Sequence, residues 1–174
     1  RKDLITLVKA FKLLKEDKTN KHLKLVLTGQ KIINGNIEVL NELESYILTN
    51  NLSKKILMTG YLSDAEISSL YKKALIYVFP SVEEGFGIPV LEAFAMRTPV
   101  VASNAAAMVE VADGAAEHYN AGDHIELSKT LSKLITSKHK RTYLVEKGTE
   151  RLKGFSRERF VKDYERLILK SVKN

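Results

Sequence analysis

The sequence has no cysteine and no tryptophan, only three prolines among 174 residues, and no apolar run near the roughly 18 residues that span a bilayer. Without cysteine, disulfides, thiolate metal ligands and a cysteine nucleophile are excluded, as is common in a reducing compartment. Three prolines and nine glycines are too few for a collagen-like or linker-like chain. The 44% hydrophobic and 28% charged residues are those of one folded globular domain.

The positive charge is confined to the C-terminal part of the chain. The formal net charge is +7, but residues 133–174 carry 13 Lys and Arg against 5 Asp and Glu, whereas the other 132 residues carry 15 against 16. A solvated helical surface is the simplest interpretation, and attraction to anionic lipid headgroups or to an acidic partner is the alternative. The aromatic residues of this segment have helical spacing rather than that of a base-stacking platform, so no nucleic acid partner is expected.

Short apolar runs alternate with helical patterns throughout the sequence. The predicted strands cover residues 23–28, 55–59, 74–79, 99–102 and 115–119. Helices are predicted from Leu4, over residues 36–50, from the capping box of Ser63 and Glu66, over residues 89–96, and as three further helices within residues 123–173. Strands this apolar predict a parallel sheet covered by helices on both faces. We therefore predict one α/β domain over residues 1–174, with a basic C-terminal helix in residues 156–174.

Glycines and small residues follow several of the predicted strands, where ligands of an open parallel sheet bind. Thr28-Gly29-Gln30 and Thr59-Gly60-Tyr61-Leu62 would let a ligand approach the backbone closely. Ordinary turn chemistry explains each of these turns equally well when it is taken alone. At the other end of the chain, Arg1-Lys2-Asp3 has no initiator Met and leads straight into a helix, which indicates a piece of a longer chain.

The stretch from Pro80 to Phe94 carries the strongest sign of a ligand site. It joins the third strand to a helix that is apolar except for Glu92 and is therefore predicted to be buried. Gly87 or Ile88 occupies the cap position, so the first-turn amides lack a local side-chain acceptor. An unpaired buried donor costs about 1–3 kcal/mol, and a phosphate group would satisfy these amides.

Two carboxylates flank the start of this helix. Glu92 lies on the helix, and Glu84 precedes it by eight residues in the loop. Stabilising the positive end of the helix, by about 0.3–1 kcal/mol, is the plain interpretation of Glu92. Accepting hydrogen bonds from the vicinal hydroxyls of a ribose is the functional one. Since Glu83 and Glu84 are adjacent, one of the two can be a solvated surface carboxylate.

Glu84 and Glu92, with Gly-Phe-Gly-Ile-Pro between them, resemble the E-x7-E motif of retaining glycosyltransferases of group 1 (family 4), which have the two-domain GT-B fold. Further stretches resemble the family in the same order, at residues 1–4, 25–29, 60–64, 70–74 and 99–103. The resemblance implies a Rossmann-like, C-terminal donor-binding half. Such an enzyme moves a hexose from a nucleotide diphosphate sugar to a glycan or lipid-linked acceptor with retention of configuration, as in polysaccharide biosynthesis.

The resemblance also implies roles for individual residues. Lys2 matches the cation that neutralises the leaving diphosphate, and Glu84 the acid beside the donor sugar, so these are the catalytic candidates. The donor-binding candidates match the backbone that meets sugar and phosphate (Gly85, Phe86, Gly87 and Ile88), the acid on the ribose hydroxyls (Glu92) and the surfaces lining the nucleobase (Gly29, Tyr61 and Leu62). An Arg expected in a strand before Lys2, and the N-terminal acceptor domain, are not in this sequence, so the 174 residues alone are predicted to be inactive.

No metal and no cofactor are expected besides the donor. The sequence has no D-x-D, and its four histidines lack ligand spacing. The expected partners are a UDP-, GDP- or ADP-linked sugar and the N-terminal domain of the same enzyme. The expected location is cytoplasmic, and the basic C-terminal helix suggests the inner face of the cell membrane as a second contact.

Two other functions stay open. One is a nucleotide-sugar-binding module without catalysis of its own. The other is a sugar-nucleotide epimerase or a phosphorylase on a similar two-domain fold, which the neighbourhood of the E-x7-E pattern disfavours.

Overall fold

Parallel strands alternate with helices in the computed structural model, which describes residues 2–29 and 37–171. The strands are β1 (Leu25–Leu27), β2 (Ile56–Met58), β3 (Tyr77–Phe79), β4 (Val100–Ser103) and β5 (Glu117–Tyr119). The helices are α1 (Leu4–Glu16), α2 (Ile37–Thr49), α3 (Asp64–Lys73), α4 (Ile88–Ala95), α5 (Ala106–Ala112), α6 (His124–Thr136), α7 (Lys138–Leu152) and α8 (Arg157–Ser171), with 3-10 helices at Lys18–His22 and Lys153–Phe155. The predicted α/β class is confirmed, with all five strands at the predicted places.

Helix starts were predictable where a capping side chain marks them. Ser63 and Glu66 form the predicted capping box at α3, with the Ser63 amide 2.9 Å from Oε2 of Glu66. Helix α5 was not predicted, because its cap residue, Ala105, offers no side-chain acceptor and the helix has only seven residues. Arg1, Gln30 and Asn36, which also figured in the sequence predictions, lie outside the described residues.

The strands form two parallel sheets rather than the single predicted sheet, as far as residues 2–29 and 37–171 show. β1 pairs with β2, and β4 lies between β3 and β5. The edges of β1 and β3 that carry no partner strand both line one apolar cavity of about 410 Å³. Helices α1, α3 and α6 supply the remaining walls of this cavity. The β1–β2 and β3–β5 half-sheets therefore border a common space.

The β3–β5 half-sheet is covered on both faces, as predicted. Val101 and Tyr119 join the hydrophobic cluster that includes α1 and α6. Val100 and Ala102 join a second cluster on the opposite face, with residues of α4 and α5. All four residues of β4 are buried. The alternation of side chains along one strand thus divides the core into two layers.

Within residues 2–29 and 37–171, the β1–β2 half-sheet is covered on one face only. Leu27 and Ile56 are buried in the first cluster, whereas Val26 and Leu57, paired in register on the other face, are 38% and 57% exposed. The prediction that no strand has a wet face is therefore wrong for these two residues. Apolar residues alone do not reveal which face a helix covers, because that depends on the tertiary arrangement.

The C-terminal helix α8 is present, and its apolar side chains are exposed. Phe160, Tyr164 and Ile168 follow one another at four-residue intervals along α8, form one apolar stripe and face solvent. The side chain of Leu167 lies outside the described residues. Of the helices in the described ranges, none is both long and apolar enough to cross a membrane.

Candidate functional site

The N-terminal end of α4 lacks a side-chain cap, as predicted. Its cap residue, Gly87, has a left-handed φ of 98°, which side-chain-bearing residues rarely adopt. The next residues leave fewer free amides than predicted, since Pro89 has no N–H and the Val90 amide donates to the Gly87 carbonyl at 2.9 Å. The unpaired donors lie one step earlier. Within the described chain, the amides of residues 85–88 make no hydrogen bond.

Helix α4 is buried on one side and open on the other. Val90, Ala93 and Phe94 are buried, but Ile88 is 61% exposed and Glu92, one turn later, is exposed as well. The prediction of a fully buried helix is wrong for this side, because α4 packs against α5 and α7 on its buried face only. Glu92 follows Ile88 by four residues, so the two lie on the same, open side of the helix.

A tyrosine hydroxyl from α3 lies beside Glu92. The Tyr71 hydroxyl is 3.3 Å from Oε2 of Glu92 and 3.4 Å from the carbonyl of Pro89. Burial raises the pKa of Tyr71 to about 12, and the negative charge of Glu92 adds to this effect, so at neutral pH the hydroxyl keeps its proton as a donor. The helical spacing of Tyr71 predicts a core residue. It is buried, but sequence spacing gave no sign that its hydroxyl reaches Glu92.

Glu84 is held by the end of β3. Its Oε1 accepts a hydrogen bond from the Ser81 hydroxyl at 3.0 Å. Glu84 is half-buried, whereas the neighbouring Glu83 is exposed. The structure therefore distinguishes between the two adjacent acids, with Glu84 fixed and Glu83 solvated.

Lys2 lies next to the same serine. Its backbone forms an antiparallel bridge with Ser81, and the amide of Asp3 donates to the carbonyl of Pro80 at 2.6 Å. The ammonium nitrogen of Lys2 lies 5.5 Å from the centre of the Phe79 ring. The fold thus brings Lys2 and Glu84, which are 82 positions apart in the sequence, to one residue.

The three residues expected to line a nucleobase lie beyond the other half-sheet. The Gly29 amide donates to the Gly60 carbonyl at 3.0 Å, which ties together the turns that follow β1 and β2. Tyr61 is 79% exposed, and Leu62 is half-buried. In the described ranges these turns make no hydrogen bond with the segment that precedes α4.

Across residues 2–29 and 37–171, no three His, Asp or Glu side chains come close enough together to hold a metal ion. His118 has Nδ1 3.1 Å from the Ser103 carbonyl, so that nitrogen carries the proton, since a carbonyl only accepts. Its Nε2 is buried and has no hydrogen-bond partner within the described residues.

The site combines free backbone amides, two carboxylates and a lysine around the start of one helix. Residues 1–151 match the family described as "Glycosyl transferases group 1". The chain belongs to this family. The residues of the E-x7-E pattern lie within the matched region.

Curated group 1 relatives include mannosyltransferases. The serotype-specific mannosyltransferase WbdA of Escherichia coli is 30% identical over 137 residues, which cover 78% of this chain and 16% of WbdA. The O-antigen chain mannosyltransferase RfbU of Salmonella typhimurium is 35% identical over 92 residues, or 53% of this chain and 26% of RfbU. The group 1 chain described here therefore matches 16% of the length of WbdA and 26% of that of RfbU.

Solved structures share the fold. The C-terminal domain of the group 1 protein LpcC from Francisella tularensis superposes with a TM-score of 0.71 at 25% identity, covering 85% of this chain and 76% of that one. Anabaena HepE, solved with UDP and glucose, gives a TM-score of 0.81 at 19% identity, covering 99% of this chain and 45% of HepE. The second likeness concerns the fold alone. Both place this group 1 chain in the α/β fold of glycosyltransferase domains.

Proposed function

We propose that this domain is the donor-binding half of a retaining hexosyltransferase that uses a nucleotide diphosphate sugar. The observation that carries the proposal is the row of unpaired amides at residues 85–88, with Glu84 before it and Glu92 after it. Backbone amides at the start of a helix are suited to phosphate, because their partial positive charge meets the anion without a side-chain counterion.

Each group of site residues binds a different part of the donor. The amides of residues 85–88 and the Lys2 ammonium hold the diphosphate, Glu84 lies beside the sugar, and Glu92 accepts from the ribose hydroxyls while Tyr71 steadies its carboxylate. Gly29, Tyr61 and Leu62 line the nucleobase. Charge develops on the diphosphate as it leaves, so fixed positive groups there stabilise the transition state. The acceptor hydroxyl then bonds to the anomeric carbon from the face that the diphosphate leaves. The bond between that carbon and the diphosphate breaks, the hydroxyl proton passes to the departing diphosphate oxygen, and configuration is retained without a metal ion or other cofactor.

Names of relatives support a hexose donor and a polysaccharide acceptor. WbdA and RfbU are mannosyltransferases, and RfbU acts on an O-antigen chain by its name. HepE was solved with UDP and glucose, which supports a nucleoside diphosphate sugar as the kind of donor. We propose a UDP-, GDP- or ADP-linked hexose as the donor, with a glycan or lipid-linked acceptor.

The catalytic unit is proposed to include an N-terminal domain of the same enzyme. The chain matches 16% of the length of WbdA and 45% of that of HepE, so more than half of each of these proteins has no counterpart in this chain. The cavity between β1 and β3 supports further chain before Lys2, because among the described residues both strands border it without a partner strand, and one more parallel strand would join the half-sheets. Lys2 and Asp3 run beside Pro80 and Ser81, where such a strand would end.

We propose a cytoplasmic location and, for α8, packing against that N-terminal domain. Phe160, Tyr164 and Ile168 are exposed on α8, and such an apolar stripe is a surface that a partner covers. The alternative is the anionic inner face of the cell membrane. Cosedimentation of the chain with phosphatidylglycerol vesicles, beside neutral vesicles, decides between them: equal low binding favours the domain, and binding that rises with anionic lipid favours the membrane.

Titration calorimetry of the chain with GDP-mannose, UDP-glucose and ADP-glucose tests the donor site. We expect one of these donors to bind, Lys2→Ala and Glu92→Gln to lose about tenfold or more in affinity, and Glu83→Gln to bind as wild type, since Glu83 is exposed. Equal binding by all four proteins would contradict the proposal.

Assays of sugar transfer, with the chain alone and with an N-terminal domain added, distinguish half of an enzyme from a module that only binds nucleotide sugars. A bound donor without sugar transfer is expected for these 174 residues, because the acceptor side belongs to the other domain. Restoration of transfer by an added N-terminal domain would establish the enzyme. Donor binding without any transfer in the two-domain protein would instead support a nucleotide-sugar-binding module.

A further inference from the structure

The residue that follows β3 by two positions, Ser81, is fully buried, with 0% of its surface exposed. Its hydroxyl lies 3.0 Å from Oε1 of Glu84 and 3.2 Å from the carbonyl of Glu83. A serine hydroxyl has one proton to donate, and a carboxylate is the stronger acceptor of the two. The hydrogen bond to Glu84 is therefore the one that this proton favours.

A chain of buried polar contacts holds Ser81 in turn. The hydroxyl of Ser103, at the end of β4, donates to the carbonyl of Ser81, and Ser103 is also 0% exposed. The carbonyl of Ser103 accepts from Nδ1 of His118 on β5 at 3.1 Å. Ser81 is thus fixed through its backbone to β4, and from there to β5, before it contacts Glu84. Nε2 of His118 has no partner within the described residues, so the paired part of this network runs from Ser103 through Ser81 to Glu84. Paired buried polar groups hold one another in place, because an unpaired one is costly.

Lys2 also depends on Ser81 for its position. The antiparallel bridge joins the backbones of the two residues, and the bond from Asp3 to Pro80 extends it by one residue. Glu84 and Lys2 are therefore attached to the same buried residue, one through its hydroxyl and the other through its backbone. No other hydrogen bond to the carboxylate of Glu84 exists within residues 2–29 and 37–171.

We propose that Ser81 is a positioning residue for the donor site. Its hydroxyl fixes one oxygen of Glu84, so that the other oxygen is aimed at the sugar while Lys2, held by the backbone of Ser81, meets the diphosphate. This role rests on the proposed function, because it concerns the same site. It predicts a selective effect: loss of the hydroxyl disturbs the sugar contact of Glu84 and leaves the diphosphate contacts, which involve Lys2 and backbone amides, in place.

The test compares a nucleotide sugar with its nucleoside diphosphate on the 174-residue chain. By calorimetry, Ser81→Ala is expected to bind the nucleotide sugar about tenfold more weakly and the nucleoside diphosphate as wild type does. Glu84→Gln is expected to show the same selective loss, and the double variant no further loss, as for two residues that act through one contact. Ser128→Ala, at a buried serine of α6, is the matched control and binds both ligands normally.

Equal weakening of both ligands by Ser81→Ala would overturn the proposal and indicate a structural role, as would additive losses in the double variant. Ser81→Cys, which keeps the size and weakens the hydrogen bond, replaces Ser81→Ala if circular dichroism shows that the latter is unfolded. If the wild type binds neither ligand, the proposed function fails. In that case the contact between Ser81 and Glu84 is tested separately by the carboxyl-carbon NMR resonance of Glu84. This resonance is expected to shift in the Ser81 variant and not in Ser128→Ala. An unchanged resonance in the Ser81 variant would refute the contact.

Discussion

The turns beyond the two half-sheets differ in how they are held. Beyond β3, Ser81 and Gly87 are buried, and a side-chain hydrogen bond fixes Glu84. Beyond β1 and β2, the turns are joined by the backbone bond from Gly29 to Gly60, and Tyr61 extends into solvent. The difference teaches that the fold itself builds the proposed phosphate-and-sugar end, whereas the proposed nucleobase end is an exposed surface on which substitution disturbs little else.

The largest expected effect is on stability, and it concerns a core residue close to the proposed phosphate-and-sugar end. Phe94 lies on the buried side of α4 and packs against Gly148, so Phe94→Ala is expected to lower the free energy of unfolding by about 3–5 kcal/mol. Leu57→Ala, on the exposed face of β2, is expected to change it by no more than about 0.5 kcal/mol. Urea unfolding followed by circular dichroism measures both. Similar losses of unfolding free energy in the two variants would contradict the difference in burial between these two regions.

The next effect concerns the backbone at Gly87. Gly87→Ala forces a side chain into a left-handed conformation and against the side chain of Met108, so a loss of about 1–3 kcal/mol in unfolding free energy is expected. Gly114→Ala is the matched control, because Gly114 also has a positive φ but has open space around it. Gly87→Ala should in addition weaken binding of a nucleoside diphosphate, and Gly114→Ala should not. Equal binding by both variants would argue against a role for the segment before α4.

The contact between Tyr71 and Glu92 predicts a dependence on pH. An unfolded tyrosine loses its proton near pH 10, whereas burial raises the pKa of Tyr71 to about 12. Unfolding therefore releases a proton between these two pH values, and the stabilising contribution that is complete below pH 10 is lost as the pH rises towards 12. Urea unfolding from pH 9 to 11 should show falling stability, with a smaller fall in Tyr71→Phe.

Part of the loss of stability at high pH is expected to remain in the Tyr71→Phe variant, because burial also raises the pKa of Tyr77 and of Tyr119. Tyr61→Phe serves as the control, since Tyr61 is exposed, and should leave the profile of the wild type unchanged. An identical profile in Tyr71→Phe and wild type would contradict a buried, protonated hydroxyl beside Glu92.

The smallest effect is expected at the exposed end. Tyr61→Ala removes a ring that faces solvent, so the free energy of unfolding should change by no more than about 0.5 kcal/mol. The expected effect of Tyr61→Ala is on ligand binding. We expect a several-fold weaker affinity for a whole nucleotide sugar and an unchanged affinity for inorganic pyrophosphate, which has no base. Loss of stability in this variant would show that the turn beyond β2 is part of the core.

Local patterns in the sequence were enough to find the two acids and the uncapped helix. Glu84, Gly87 and Glu92 lie within nine residues of one another, and the chemistry of a helix start depends on neighbours in sequence. The contacts of these residues could not be found in this way. Tyr71 is 21 residues from Glu92, and Ser103 is 22 from Ser81, so both pairs depend on strand order and helix packing.

The same reasoning explains the two errors of exposure. Val26 and Leu57 have the apolar character of buried strand residues, but whether a helix covers them is decided by tertiary packing. The sequence of helix α4 is apolar except for Glu92, yet only the side that carries Val90 and Phe94 packs. The open side holds Ile88 and Glu92, so the error fell where the proposed ligand binds.

The most direct test of the account is a titration of the ¹⁵N-labelled chain with a nucleoside diphosphate, observed through backbone amide resonances. The account predicts that the amides of Gly85, Phe86, Gly87 and Ile88 shift together and saturate at one affinity, because the diphosphate is bound by these unpaired donors. Saturable shifts elsewhere in the domain, with these four amides unmoved, would contradict it.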